Sequence, residues 1–159
     1  MYARDGQGVM GLEPYEAGII SEAPTFTRRP SIGAFVAILG SMRHNRGLQL
    51  IFPKTRCCRH ADIHEVLVTD QADAMPGDRI DRVAGVGFVE FDVGGVVAQG
   101  DRLIVGERRV GVVLGFDETH APNHINIVVA AELLISGLEL DLCVGDEARF
   151  VFEPVEGGD

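Results

Sequence analysis

The sequence contains no tryptophan, only three cysteines, and far fewer basic than acidic side chains: 14 lysines and arginines against 24 aspartates and glutamates in 159 residues. Three cysteines cannot form an even set of disulfides, and the N-terminus lacks the pattern of a secretory signal, so we expect a cytoplasmic protein. No apolar run approaches the roughly 20 residues of a membrane span. The formal net charge of −10 disfavours nucleic acid and anionic membranes as partners.

Serine is also scarce, since Ser136 is the only one after residue 41. The chain has neither a nucleophile elbow nor a phosphate-binding P-loop. The glycine pairs at 85–87 and 94–95 lie within or between strand-like runs, with no helix after them to cradle a phosphate. A serine nucleophile is therefore disfavoured, and the sequence leaves open whether the protein is an enzyme.

Charge is distributed unevenly along the chain. Residues 1–60 carry eight basic and four acidic side chains, whereas residues 61–159 carry six and twenty. Residues 28–59 contain no aspartate or glutamate, and we call this stretch the basic segment. Its Arg43, Arg46 and Arg56 are candidate ligands for a small anionic molecule, because a guanidinium offers a planar fork to an oxyanion. The alternatives are a solvated face, or docking on an acidic surface of the same or a neighbouring subunit.

Short β-compatible runs bounded by glycine, proline, aspartate or asparagine fill most of the chain after residue 30. Residues 44–47 between the first two runs predict a tight hairpin, and only 130–136 favours a short helix. The predicted strands lie within 31–44 and 47–54 and at 63–69, 79–91, 102–105, 109–116, 125–130 and 147–152.

A recurring Gly-Asp pair before a strand, at 77–78, 100–101 and 145–146, supports the same fold class. Short strands joined by glycine-rich turns are typical of a small barrel. We therefore predict an all-β fold, a small closed or half-open antiparallel barrel with at most one short helix. The predicted boundaries are a flexible arm over 1–30, one barrel domain over 31–154 and a flexible tail over 155–159.

The most concentrated polar stretch is residues 115–126, between two predicted strands, which we call the rim loop. Imidazoles and carboxylates this close together suit a divalent metal ion or acid–base chemistry near neutral pH. His120, His124 and Asp117 are the candidate catalytic residues and metal ligands. Glu118, Asn123 and Asn126 are candidate ligand-binding residues. The alternative is an ordinary turn, with Asp117 and Asn123 bonding the backbone.

Cys57 and Cys58 lie close to His60 and His64, which are also good zinc ligands. Adjacent cysteines point apart in a strand, and structural zinc sites usually separate them by two to four residues. Incidental cysteines are therefore favoured over a mixed site that uses one cysteine with a histidine.

Four stretches carry a likeness to a known family: Leu50–Phe52, Gly100–Val110 running into Val113–Gly115, Asn123–Val128 and Val144–Glu153. In this order, over about two thirds of the chain, they resemble the glucitol/sorbitol-specific IIA component of the bacterial sugar phosphotransferase system, or an uncharacterised small β-barrel family related to it. The resemblance implies a small all-β barrel that carries a phosphoryl group on histidine. The resemblance implies that the phosphoryl-accepting histidine lies in a stretch just before the first glycine-rich turn. The corresponding stretch of this sequence, residues 85–92, contains no histidine. His124, however, falls at a position where the family also tends to show a histidine.

Three functions follow as hypotheses. The first is a barrel that binds a small polar or anionic ligand at the rim loop, with a divalent metal ion as candidate cofactor. The second is a non-catalytic accessory module that forms a homo-oligomer through the basic segment. The third is a divergent phosphocarrier that uses His120 or His124.

Overall fold

A computed structural model describes residues 27–152 of the chain and contains only β-strands, turns and irregular segments there. Alternating apolar residues bounded by turn formers account for most of the strands. They are β1 (Ser31–Ile38), β2 (Met42–Arg43), β3 (Leu48–Gln49), β4 (Thr55–Cys58), β5 (Ile63–Thr69), β6 (Arg79–Ile80), β7 (Val83–Val93), β8 (Gly95–Ala98), β9 (Arg102–Val105), β10 (Arg108–Asp117), β11 (Asn126–Ala130) and β12 (Glu147–Val151).

Seven of these strands form a ring-closed sheet in the order β1-β12-β9-β10-β11-β5-β7, and β1 pairs with β7 to complete it. β2 extends the sheet from β7. The all-β prediction is confirmed, and the ring is consistent with a half-open barrel. One detail needs correction, because β5 and β11 pair in parallel. A long crossover through β6 to β10 separates them in the chain, so they can run in the same direction.

Two local predictions were wrong. Residues 44–47 do not form a hairpin, because β2 pairs with β7 whereas β3 pairs with β6. The segment 130–136 is not a helix. Ala130 ends β11, and the amide of Ala131 donates to the Thr69 carbonyl at 2.9 Å, continuing the sheet pairing. Seven residues are too few to form a stable helix on their own, so tertiary pairing decides their conformation.

Two apolar layers stabilise the ring. Along β5, Val66 and Val68 belong to the cluster inside the ring, whereas Leu67 belongs to a second cluster on the outer face. This alternation follows from the period of two in a strand. The short sheet of β3 and β6 contributes Leu48 and Ile80 to the outer cluster. The outer face is therefore partly covered, and the polar residues next to it are shielded from water.

Both ends of the described chain meet on one side of the ring. The guanidinium of Arg28 donates to both carboxylate oxygens of Asp101, at 2.6 and 2.9 Å, and lies 4.9 Å from the centre of the Phe152 ring. Most of the predicted arm, residues 1–26, and the whole predicted tail lie outside the described residues. Within the described part, Arg28 contacts the domain directly.

Candidate functional site

A row of four residues crosses four neighbouring strands at the end of the sheet next to the rim loop. Phe88 of β7 lies opposite Glu65 of β5, Glu65 beside Asn126 of β11, and Asn126 opposite Asp117 of β10. Residues paired in this way point to the same face of a sheet. Leu67, two residues after Glu65, belongs to the outer cluster, so the row lies on the outer face.

The rim loop folds back over this row. The carbonyl of His120 accepts hydrogen bonds from the amides of Asn123, at 3.0 Å, and His124, at 3.4 Å. This turn stacks the two imidazole rings, with their centres 5.0 Å apart and an angle of 28° between their planes. His124 also packs edge-on against Phe88 at 5.1 Å. The loop thus holds both histidines above the end of β5.

Glu65 completes a cluster with the two histidines. One ligand atom from each of Glu65, His120 and His124 lies within 4.8 Å of the others, and we call this group the His/Glu cluster. Glu65 Oε2 is 3.3 Å from His124 Nε2, and each of these two side chains is 11% exposed. Sequence reasoning missed Glu65. A signal was available, because Glu65 is an acid directly before the apolar run of β5.

A side-chain nitrogen of another residue lies against each imidazole. Arg46 Nη2 lies 2.8 Å from His120 Nε2, and Asn123 Nδ2 lies 2.8 Å from His124 Nδ1. Guanidinium and amide nitrogens only donate, so both of these ring nitrogens accept. The proton of His124 is then on Nε2, facing Glu65. Each imidazole then carries its lone pair on the nitrogen that faces Arg46 or Asn123.

Asp117, predicted as a metal ligand, lies outside the His/Glu cluster. Its carboxylate is buried and accepts four hydrogen bonds of 2.8–2.9 Å, from the amides of Gln49 and Thr119, the Thr119 hydroxyl and the Asn126 side chain. Burial alone would raise the pKa of Asp117, but these donors together hold it below its usual value. Asp117 therefore joins β3 to the start of the rim loop.

The other candidate residues bond groups outside the His/Glu cluster. Glu118 pairs with Arg56 at 3.4 Å on the surface, and Arg43 is exposed on β2. Asn126 is buried and bonds Asp117, while its Oδ1 has no hydrogen-bond partner. The structure thus brings His120, His124, Arg46 and Asn123 together and leaves the remaining candidates outside. Within the basic segment, Arg56 pairs with the acid Glu118 of the same chain, whereas Arg46 contacts the imidazole of His120.

The mixed cysteine–histidine site does not form among residues 27–152. Cys58 packs inside the ring, where burial, followed by the charge of Asp62, raises its thiol pKa to about 12. Cys57 is exposed. His64 accepts the Ile125 amide at Nδ1, and burial lowers the pKa of His64.

Two nitrogen ligands and one carboxylate suit a borderline divalent ion such as zinc, manganese or nickel and leave coordination positions for a further ligand. The combination also places a general base beside an orienting carboxylate, because Glu65 accepts the Nε2 proton of His124. The fold thus places potential metal ligands and acid–base groups side by side at this end of the sheet.

None of the described residues forms a helix long and apolar enough to cross a membrane. No curated protein matches the sequence, and no solved structure matches it either. The resemblance to the phosphotransferase component therefore stays a prediction. A family model does match residues 25–151, which is most of the chain. The protein belongs to this family, described as a family of unknown function (DUF6917).

Proposed function

We propose that the protein binds a divalent metal ion through Glu65, His120 and His124, and that the ion holds a small polar ligand at the rim. The observation that carries the proposal is the convergence of these three side chains, from β5 and from the rim loop, within 4.8 Å. Glu65 lies 55 positions before His120 in the sequence, so only the fold brings its carboxylate to the two histidines.

The geometry needs little adjustment to hold an ion. Metal–ligand distances of about 2.0–2.2 Å place ligand atoms roughly 3–4 Å apart. The separation in the cluster is at most 4.8 Å, so a small contraction suffices. The overall charge of −10 also favours the approach of a cation.

Neighbouring groups can adapt to the bound state. If His124 coordinates through Nε2, its proton moves to Nδ1, which then needs an acceptor. Asn123 lies 2.8 Å from this atom, and a rotation of its amide would offer Oδ1. Metal-bound histidines almost always donate their second nitrogen in this way.

Two pairs of variants test the proposal. We expect Glu65→Gln and His124→Ala each to weaken zinc, manganese or nickel binding by at least about tenfold, because each removes a ligand. Matched controls are Glu118→Gln, which changes an exposed rim carboxylate, and His60→Ala, which changes a histidine bonded to the Asp92 carbonyl. Both controls should bind like the wild type.

The measurement is isothermal titration of each metal into apo-protein, with elemental analysis of freshly purified samples and a thermal melt of each variant. An absence of binding in the wild type contradicts the proposal. Equal affinity in Glu65→Gln and the wild type does so too, and a loss in Glu118→Gln alone would assign binding to a different part of the rim.

A further inference from the structure

Arg46 places a positive charge beside the His/Glu cluster. Its guanidinium donates to His120 Nε2 at 2.8 Å, and its side chain is only partly exposed. Among residues 27–152 no carboxylate lies within ion-pair distance of Arg46. The positive charge of Arg46 therefore faces the cluster without a direct counterion there.

The fold holds Arg46 in this place. Its amide donates to the Asp81 carbonyl at 3.0 Å, and the next amide, at Gly47, donates to Asp81 Oδ1 at 3.1 Å. Three residues further on, the Gln49 amide bonds Asp117. The backbone is thus tied to the sheet on both sides of Gly47, and the Arg46 side chain reaches over the rim. The carboxylate of Asp81 pairs with Arg79 at 2.8 Å.

A bound metal ion would change what Arg46 contacts. An ion that takes the Nε2 lone pair of His120 displaces the N–H donor of Arg46. A divalent ion, the single charge of Glu65 and the guanidinium then leave a net positive charge in a partly buried site. Such an arrangement is unfavourable unless an anion compensates it.

We infer that the ligand of this site is a small oxyanion, a carboxylate or a phosphate, that bridges the metal ion and Arg46. This inference rests on the proposed metal site. One oxygen would coordinate the ion, and a second would accept from the guanidinium, whose planar fork matches both kinds of oxyanion. The displaced donor thereby gains a charged acceptor in place of a neutral one.

Cobalt(II) is a suitable probe, because its visible spectrum changes when a ligand joins the coordination shell. Cobalt is first titrated into the intact chain, and sodium acetate or inorganic phosphate is then added to the cobalt-loaded protein. We expect saturable spectral changes in the wild type. The tighter of the two anions identifies which kind of oxyanion the site prefers.

Arg46→Gln should weaken anion binding by at least about tenfold, the loss expected when a charged hydrogen bond is removed. The same variant should bind cobalt without anion as well as or better than the wild type, because Arg46 no longer competes for His120. Arg46→Lys keeps the positive charge but loses the planar fork, so its anion affinity should lie between those of the wild type and Arg46→Gln. Arg43→Gln, an exposed arginine outside the cluster, should match the wild type.

The outcomes separate the two proposals. Failure of cobalt to bind overturns the metal site and this inference together. Cobalt binding without any response to acetate or phosphate overturns the inference alone, as does equal anion affinity in Arg46→Gln and the wild type. Because binding linkage is reciprocal, a supporting result also requires the anion to tighten cobalt binding by the same factor by which cobalt tightens anion binding.

Discussion

At the residue scale, the environment of a carboxylate decides its role. Asp117 and Glu65 are neighbours of Asn126 in the same row, and both are buried. The carboxylate of Asp117 accepts hydrogen bonds from four donors of the protein. The carboxylate of Glu65 makes one 3.3 Å contact, with His124. The first carboxylate therefore stabilises the fold, and the second is the one that the proposed metal site uses.

Asp117→Ala should lower the free energy of unfolding at pH 7 by about 3 kcal/mol, because it leaves several buried donors unpaired. The folded pKa of Asp117 is lowered, so its contribution is present above the unfolded pKa of about 3.9 and is lost as the pH falls through the folded pKa. The difference in the free energy of unfolding between the wild type and Asp117→Ala should therefore shrink as the pH falls from about 5 to about 3. Urea denaturation across this range measures it.

Asp73→Ala is the control for this experiment, because Asp73 is exposed. It should change stability little at either pH. A difference between wild type and Asp117→Ala that stays constant down to pH 3 would mean that the ionised form of Asp117 does not carry the stabilisation.

At the element scale, closure of the ring depends on how closely β1 and β7 approach. Their pairing contains two register shifts, between Ile32 and Gly33 and between Phe35 and Ala37. A Cβ at Gly33 would overlap the Glu90 carbonyl, and one at Gly87 would overlap the Ala37 carbonyl and the Phe35 ring. Glycine is required at both positions because backbone fills the space that a side chain needs.

Gly87→Ala should lower the free energy of unfolding by about 3 kcal/mol, since neither the carbonyl nor the packed ring can move away cheaply. Gly115→Ala is the matched substitution in β10, where the nearest atom to the new methyl would be the end of the Leu50 side chain at 3.2 Å. It should cost no more than about 1 kcal/mol. Urea denaturation measures the free energy of unfolding of both variants. If both lost a similar amount, close approach of β1 and β7 would not be a special requirement of ring closure.

At the scale of the whole molecule, Arg28 connects the two ends of the described chain to the ring. Its ion pair with Asp101 is buried, with side chains 9% and 1% exposed, and Arg28 also donates to the Val96 carbonyl at 2.7 Å. Asp101 in turn accepts the Ala98 amide at 2.8 Å. Loss of Arg28 would leave a buried carboxylate without its cation.

Arg28→Ala should therefore cost about 3–5 kcal/mol, as expected when one partner of a buried ion pair is removed. The double variant Arg28→Met/Asp101→Asn removes both charges and should recover part of this loss. Arg149→Ala breaks an exposed contact with Glu147 and should cost at most about 1 kcal/mol. Thermal and urea unfolding measure these losses. If Arg28→Ala also cost at most about 1 kcal/mol, the buried ion pair with Asp101 would not have the stabilising role given to it here.

The sequence by itself determined the all-β class and many strand positions, because a period of two and turn-forming residues act locally. The predicted strands at 63–69 and 102–105 match β5 and β9 in both bounds. The short strands β4 and β8 were not predicted, since four residues beside vicinal cysteines or paired glycines give a weak local pattern.

Only the tertiary structure decided the closure of the ring, the parallel pair and the membership of the site. His120 and His124 could be predicted from the sequence because both lie in the rim loop, four residues apart. Glu65 and Arg46 reach the same place from distant positions, and no local pattern encodes a pairing between β5 and β11 or the anchoring of Gln49 by Asp117. Local periodicity selects strands, but the register between distant strands selects which side chains meet.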